Sequence, residues 1–135
     1  MVNTYNIFIS HLWSYSGAYE SVAGFFDNHP YFYWKDYSVP KDDPIHHART
    51  DAELERALAA KIVHASCVVV LGGVYSSYSE WISKEIALAK SMGKPIIGVR
   101  PWGADRMSTL VQNSADVIVG WNSDSIVNAV RDYSV

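Results

Sequence analysis

The chain has 135 residues, 49% of them hydrophobic, and a formal net charge of −3. That charge disfavours binding to nucleic acids or anionic membranes, which usually requires a basic surface. No apolar run reaches the roughly 20 residues needed to span a bilayer, and the N-terminus lacks a signal-peptide pattern. The single cysteine, Cys67, excludes an internal disulfide and is expected to be a buried, reduced thiol. These features predict one cytoplasmic domain over residues 1–135 with enough apolar residues for a core.

Apolar runs alternate with helical patterns along the chain. The predicted strands cover residues 5–10, 31–34, 67–73, 95–100 and 116–120. The predicted helices cover residues 17–28, 51–65, 79–93, 104–115 and 123–133, the third stopped by Gly93 and Pro95 and the last capped by Ser123 or Asp124.

The last three strands are apolar on both sides, which is typical of strands covered by helices on both faces of a parallel sheet. Right-handed crossovers then favour a doubly wound α/β fold. With five strands, we expect the flavodoxin-like order 2-1-3-4-5.

Ligands of such sheets bind outside the carboxyl ends of the strands, at the switch point between strands 1 and 3. Ser10 and His11 follow strand 1, and the chain after strand 3 leads to a helix that carries Trp81 and Glu85. Asp36 follows strand 2. We therefore expect these residues to gather at one edge of the sheet.

Tryptophans follow, or end, every predicted strand, which places all five at that same edge. An aromatic rim suits a ligand with flat rings and a polar remainder. The alternatives are a protein interface or a cover over the core. The residues concerned are Trp13, Trp34, Trp81, Trp102 and Trp121.

The segment SEWISKE contains two acids, Glu80 and Glu85, and only Glu80 has an obvious structural role. Glu80 has the capping-box spacing from Ser77 and stands four residues before Lys84, the favourable order for an ion pair. Glu85 has no partner at helical spacing, but it shares a face with Trp81. Partial burial beside that ring would raise its pKa, as at many functional sites. A solvated glutamate is the other interpretation.

The segment YNIFISH (5–11) and the block at 65–99 resemble TIR-like domains of the bacterial Thoeris antiphage defence family. In that block, Ser79, Trp81 and Glu85 form a Ser-x-Trp-x-x-x-Glu pattern, followed by a Gly-Lys-Pro-Ile strand entry. The loop KDYSVPKDDPIHH departs from the standard TIR version and resembles the Thoeris-type branch more closely.

The resemblance implies cleavage of NAD between nicotinamide and ribose, with Glu85 as the catalytic carboxylate. The substrate-binding candidates are Ser10, His11, Asp36, Ser79 and Trp81. NAD would be the substrate, without a further cofactor. The product would be a cyclic or conjugated ADP-ribose signal that activates a separate effector. The resemblance also implies a phage-derived trigger and self-association into a homo-oligomer.

Two other classes of function stay open: a non-catalytic TIR-like scaffold, and a module that senses a nucleotide without turning it over. No metal site is expected, because the adjacent histidines of DDPIHH (42–47) would point apart on a regular element. A Gly-rich dinucleotide fingerprint and a P-loop are also absent from the sequence.

Overall fold

A computed structural model describes residues 3–10, 18–38, 50–71, 79–100 and 108–135. Strands and helices alternate through these residues in the predicted order. The elements are β1 Thr4–Ile9, α1 Ala18–Asn28, β2 Tyr33–Asp36, α2 Asp51–Ile62, β3 Cys67–Leu71, α3 Ser79–Ser91, β4 Ile96–Val99, α4 Thr109–Ser114, β5 Val117–Val119 and α5 Ser123–Tyr133.

The strands form one parallel sheet in the order β2-β1-β3-β4-β5. This order confirms the predicted doubly wound, flavodoxin-like α/β fold. Beyond β1 the chain turns toward β2, whereas beyond β3 it turns toward β4. The carboxyl ends of β1 and β3 therefore flank the switch point.

Helices cover both faces of the sheet, as the two-sided apolar strands predicted. Helices α1 and α5 pack on the face formed by Ile7 and Ile9 of β1, while α2, α3 and α4 pack on the face that receives Phe8. Side chains of a strand alternate between faces, so one strand supplies both layers of the core. None of the described helices has the length and apolar character required to cross a bilayer.

Strand β2 begins two residues later than predicted, because the residues before it form a turn. Phe32 donates its backbone N–H to the carbonyl of His29 at 3.4 Å, and Tyr31 has a φ of +57°. The ring of Pro30 fixes its own φ at about −65°. With a positive φ at the next residue, Tyr31, the segment forms a type II turn. The segment predicted as strand 31–34 is therefore half turn and half strand.

Helix ends follow local hydrogen-bonding chemistry. Gly93 has a φ of +70°, its N–H donates to the carbonyl of Lys90, and the N–H of Lys94 donates to that of Ala89 at 2.8 Å. This is a Schellman ending, which confirms the predicted stop of α3 at Gly93.

The predicted cap of α5 was wrong. Asn122 is the N-cap, and its side-chain oxygen accepts the N–H of Ser125 at 2.8 Å. Ser123 already belongs to the helix. Helix α4 was also predicted too long: it begins only at Thr109, and residues 104–107 lie outside the described part of the chain.

Candidate active site

Ser10 directly follows β1 at the switch point. Its backbone N–H donates to the carbonyl of Val69 in β3 at 2.8 Å, which ties the end of β1 to its neighbour. Ser10 stands two residues after Phe8. Because alternate side chains of a strand share a face, its side chain lies on the face that α2 and α3 cover. The residue is 1% exposed.

Glu85 lies midway along α3 on the face that packs against the sheet. Three neighbours of Glu85 on the helix are buried in the core: Ile82, Ile86 and Ala89. Glu85 is 0% exposed. The sequence predicted only partial burial for this carboxylate, and the structure corrects that expectation. The stripe of Ile82, Ile86 and Ala89 is the signal that would have placed it on the apolar face.

The two side chains meet. The hydroxyl of Ser10 donates to Oε2 of Glu85, and the two oxygens are 2.6 Å apart. This distance falls in the range of hydroxyl bonds to an ionised carboxylate, which are shorter and stronger than neutral ones. The residues are 75 positions apart in the chain. The fold therefore joins β1 and α3 through a polar pair buried at the switch point.

Ser38 is a buried hydroxyl beside this pair that the sequence did not single out. Its Oγ accepts the backbone N–H of Ile9 at 2.8 Å. Because β2 has ended at Asp36, the side chain of Ser38 takes the place of a strand carbonyl for β1. A serine two residues beyond the strand was the available signal, since short polar side chains often satisfy backbone groups at turns.

Asp36, a predicted substrate contact, ends β2 at the same edge of the sheet as Ser10. Its Oδ1 accepts the N–H of Ser38 at 2.8 Å, and its Oδ2 accepts the hydroxyl of Tyr19 in α1. These bonds give Asp36 a role in fixing the turn after β2. Its role toward a substrate stays a prediction.

The other predicted site residues are described less fully. Ser79 and Trp81 lie in the first turn of α3, but their side chains are outside what the structure describes. His11 lies outside the described residues, as does the DDPIHH segment. Ser77 of the predicted capping box is outside them too, and so is the side chain of Glu80. Lys84 pairs with Glu55 of α2 at 3.3 Å, which links α2 to α3.

The predicted tryptophan rim is only partly testable, and Trp34 does not belong to it. Trp34 pairs with Tyr5 near the start of β1, so it lies toward the amino end of the strands. Its ring packs on Phe26, and its Nε1 donates to Asp27 at 2.8 Å. The later start of β2 explains this correction. The side chains of Trp13, Trp81 and Trp102 lie outside the described part of the chain.

Trp121 follows β5 as predicted, but it serves packing. Its ring meets Phe25 of α1 edge to face, with centroids 5.8 Å apart. The contact joins α1 to the segment before α5. For Trp34 and Trp121, the structure therefore favours the alternative that these rings cover the core.

Comparison with known proteins identifies a family for most of the chain. The family described as "Thoeris protein ThsB, TIR-like domain" matches residues 8–106. That range contains the end of β1, all of β2, β3 and β4, and both members of the Ser10–Glu85 pair. No curated protein matches the sequence significantly.

Two solved structures share the fold at low sequence identity. The CMP N-glycosidase BcmB of Clostridium botulinum is 14% identical with a TM-score of 0.51, covering 95% of this chain and 99% of its own. A de novo designed Rossmann 2x3 protein is 11% identical with a TM-score of 0.52, covering 98% of this chain and 89% of its own. At these identities the likeness shows the fold alone.

Proposed function

This chain belongs to the TIR-like domain family of the Thoeris protein ThsB, and on that premise we propose that it cleaves the bond between nicotinamide and ribose in NAD. One observation carries the proposal: a buried carboxylate, Glu85, held at the switch point of the sheet by a 2.6 Å bond from Ser10. Ligands of doubly wound sheets bind at that point.

A carboxylate at a core position of α3 is expensive for stability. Removing a charge from water costs several kcal/mol, which hydrogen bonds offset only in part. An apolar residue beside Ile82, Ile86 and Ala89 would fill the same place at lower cost. This cost supports a chemical role for Glu85 over the solvated glutamate and over the non-catalytic scaffold, which has no use for a carboxylate there.

The chemistry requires one well-placed carboxylate. When the bond between ribose C1′ and the nicotinamide nitrogen breaks, the electron pair leaves with nitrogen, and the cationic ring becomes neutral nicotinamide. Positive charge then develops at C1′, where a carboxylate stabilises it as in glycoside hydrolysis. No acid is needed to protonate the leaving group. We propose that Glu85 supplies this stabilisation and that Trp81 forms a wall of the substrate site.

Glu85 is fully covered in this structure, so contact with a ribose requires the groups above it to move. The carboxyl ends of β1 and β3 and the first turn of α3 border the switch point. In the proposed reaction, a hydroxyl of the substrate or of a second small molecule then attacks C1′, forms a C1′–O bond and loses its proton to solvent. The product is a cyclic or conjugated ADP-ribose derivative.

Family membership places the domain in a Thoeris defence context. We propose that the product is a diffusible signal that activates a separate effector during phage infection. The bond cleaved would be N-glycosidic, the same class of bond that the name of the CMP N-glycosidase indicates for that protein. That likeness is compatible with the proposal and rests on the fold.

The proposal is tested by mass spectrometry of small molecules from cells that express the protein, with and without phage infection. We expect an ADP-ribose-derived species in infected wild-type cells. Glu85→Gln keeps the size of the side chain and removes its charge, so the species should fall by about 100-fold or more. A variant that folds and still produces the species at the wild-type level would contradict the role of Glu85.

Glu80→Gln is the matched control, since it makes the same chemical change five residues away on the same helix. It should trim stability by only about 0.5 kcal/mol and leave the product in place. Loss of product in Glu80→Gln with full activity in Glu85→Gln would mean that the two acids were assigned backwards. No product and undepleted NAD under any condition would favour the scaffold or sensor.

A further inference from the structure

The hydroxyl of Ser10 is committed to Glu85. In the sequence, Ser10 is a candidate for direct contact with phosphate, ribose or nicotinamide. In the structure, its hydroxyl donates to Oε2 at 2.6 Å, and the residue is 1% exposed. A hydroxyl has one proton to donate, and an ionised carboxylate is the strongest acceptor available to it. Substrate contact through that proton would cost the bond to Glu85.

The backbone of Ser10 is fixed as firmly as its side chain. The N–H of Ser10 donates to the carbonyl of Val69 in β3 at 2.8 Å. This bond anchors the end of β1 to its neighbouring strand. The donor is therefore presented to α3 from a rigid strand end and not from a free loop.

From this geometry we propose that Ser10 is a positioning residue for Glu85: it holds the carboxylate in one orientation across the switch point. The assignment rests on the proposed function, because it concerns the same carboxylate. It replaces the expected substrate contact with an indirect role. A pre-oriented carboxylate costs no reorganisation as charge develops at C1′, so the gain falls on the transition state.

The test compares steady-state cleavage of NAD by purified wild-type, Ser10→Ala, Ser10→Thr and Ser38→Ala proteins, with a thermal melt beside each. Loss of a hydrogen bond to a charged group should lower kcat of Ser10→Ala by about 10- to 100-fold. KM should stay within about twofold, because the missing bond does not touch the substrate. Ser10→Thr restores the hydroxyl and should recover most of kcat.

Ser38→Ala is the matched control. It removes another buried hydroxyl from the same strand end, one that bonds to the backbone of Ile9. It should lower the melting temperature while leaving kcat within about twofold, since its change in stability does not alter transition-state contacts. A comparable loss of kcat in Ser38→Ala and Ser10→Ala would show a general structural effect and overturn the positioning role.

Ser10→Cys is the second variant if Ser10→Ala does not fold, because a thiol is close in size but a weak donor. It should also lose kcat at unchanged KM. If the wild-type protein is active and Ser10→Ala or Ser10→Cys keeps the wild-type kcat, the positioning role of Ser10 is overturned while the proposed function stands. A raised KM at unchanged kcat would restore Ser10 as a substrate contact. Wild-type protein that leaves NAD intact, both alone and with an extract of phage-infected cells, would overturn the proposed function and the assignment together.

Discussion

Glu85 shows how far residue-level reasoning extends. In the sequence, Glu85 stands out because it shares a helix face with Trp81 and has no charged residue three or four positions away. That reasoning predicts a carboxylate beside the Trp81 ring, in partial contact with water. The structure buries it among Ile82, Ile86 and Ala89 and pairs it with a serine 75 residues earlier. The degree of burial depends on what the sheet brings against α3. Local spacing does not contain that information.

Cys67 gives a prediction at the residue scale. Burial raises the pKa of its thiol from 9.0 to about 12, and the nearby Ser134 hydroxyl offsets only part of this rise. We expect the native thiol to be inert toward a disulfide reagent at pH 9 and to react within minutes once urea unfolds the chain. The rate of thiol modification with and without urea measures this difference.

The same pKa values fix the sign of the pH effect. The unfolded thiol ionises near pH 9, whereas the folded thiol ionises only near 12, so the thiol's contribution to stability is complete below pH 9 and is lost as pH rises toward 12. Replacement by alanine should remove this part of the alkaline loss. A native thiol that reacts at the unfolded rate at pH 9 would contradict the burial of Cys67.

At the scale of elements, the turn before β2 holds a side chain in an unfavourable backbone conformation. Tyr31 has a φ of +57° and is 86% exposed, so its ring gains little packing in return. The left-handed region costs a residue other than glycine about 1–2 kcal/mol. We expect Tyr31→Gly to stabilise the protein by about 1 kcal/mol, measured by urea denaturation, because glycine reaches this region without strain.

Tyr33→Gly is the control for that prediction. Tyr33 is also an exposed tyrosine, at 50%, but it lies in extended β2. Glycine in a strand loses conformational entropy without relief of strain, so this variant should be destabilised by about 0.5–1 kcal/mol. If both variants lost stability alike, the backbone at Tyr31 would not be strained.

At the scale of the whole molecule, the close packing around β4 limits the size of the side chain that position 98 accepts. A Cβ added at Gly98 in β4 would lie 3.0 Å from Cγ1 of Val111, 3.3 Å from Cβ of Ala115 and 3.4 Å from Cγ1 of Ile118. The methyl of Ala115 cannot rotate away. Gly98→Ala should therefore force α4 from the sheet and cost about 1–3 kcal/mol, measured as a lower urea midpoint.

Gly24→Ala is the matched control for this packing effect. A Cβ at Gly24 in α1 would meet only Nδ2 of Asn28, at 4.0 Å. Alanine there should stabilise the helix by about 0.5–1 kcal/mol. Shifts of the urea midpoint in opposite directions from the same substitution would isolate the contact between β4 and α4. An unchanged midpoint in Gly98→Ala would show that α4 can move without loss.

The sequence by itself determined the parallel sheet, its order and most helix bounds. Apolar strands without alternation need cover on both faces, and connection handedness leaves few topologies. Only the tertiary structure decided which side chains meet. Ser10 and Glu85 are joined because the register of β1 against β3 and the rotation of α3 bring distant residues within 2.6 Å. That geometry arises from packing of the whole molecule, which turns a glutamate at a core position into a candidate catalytic group.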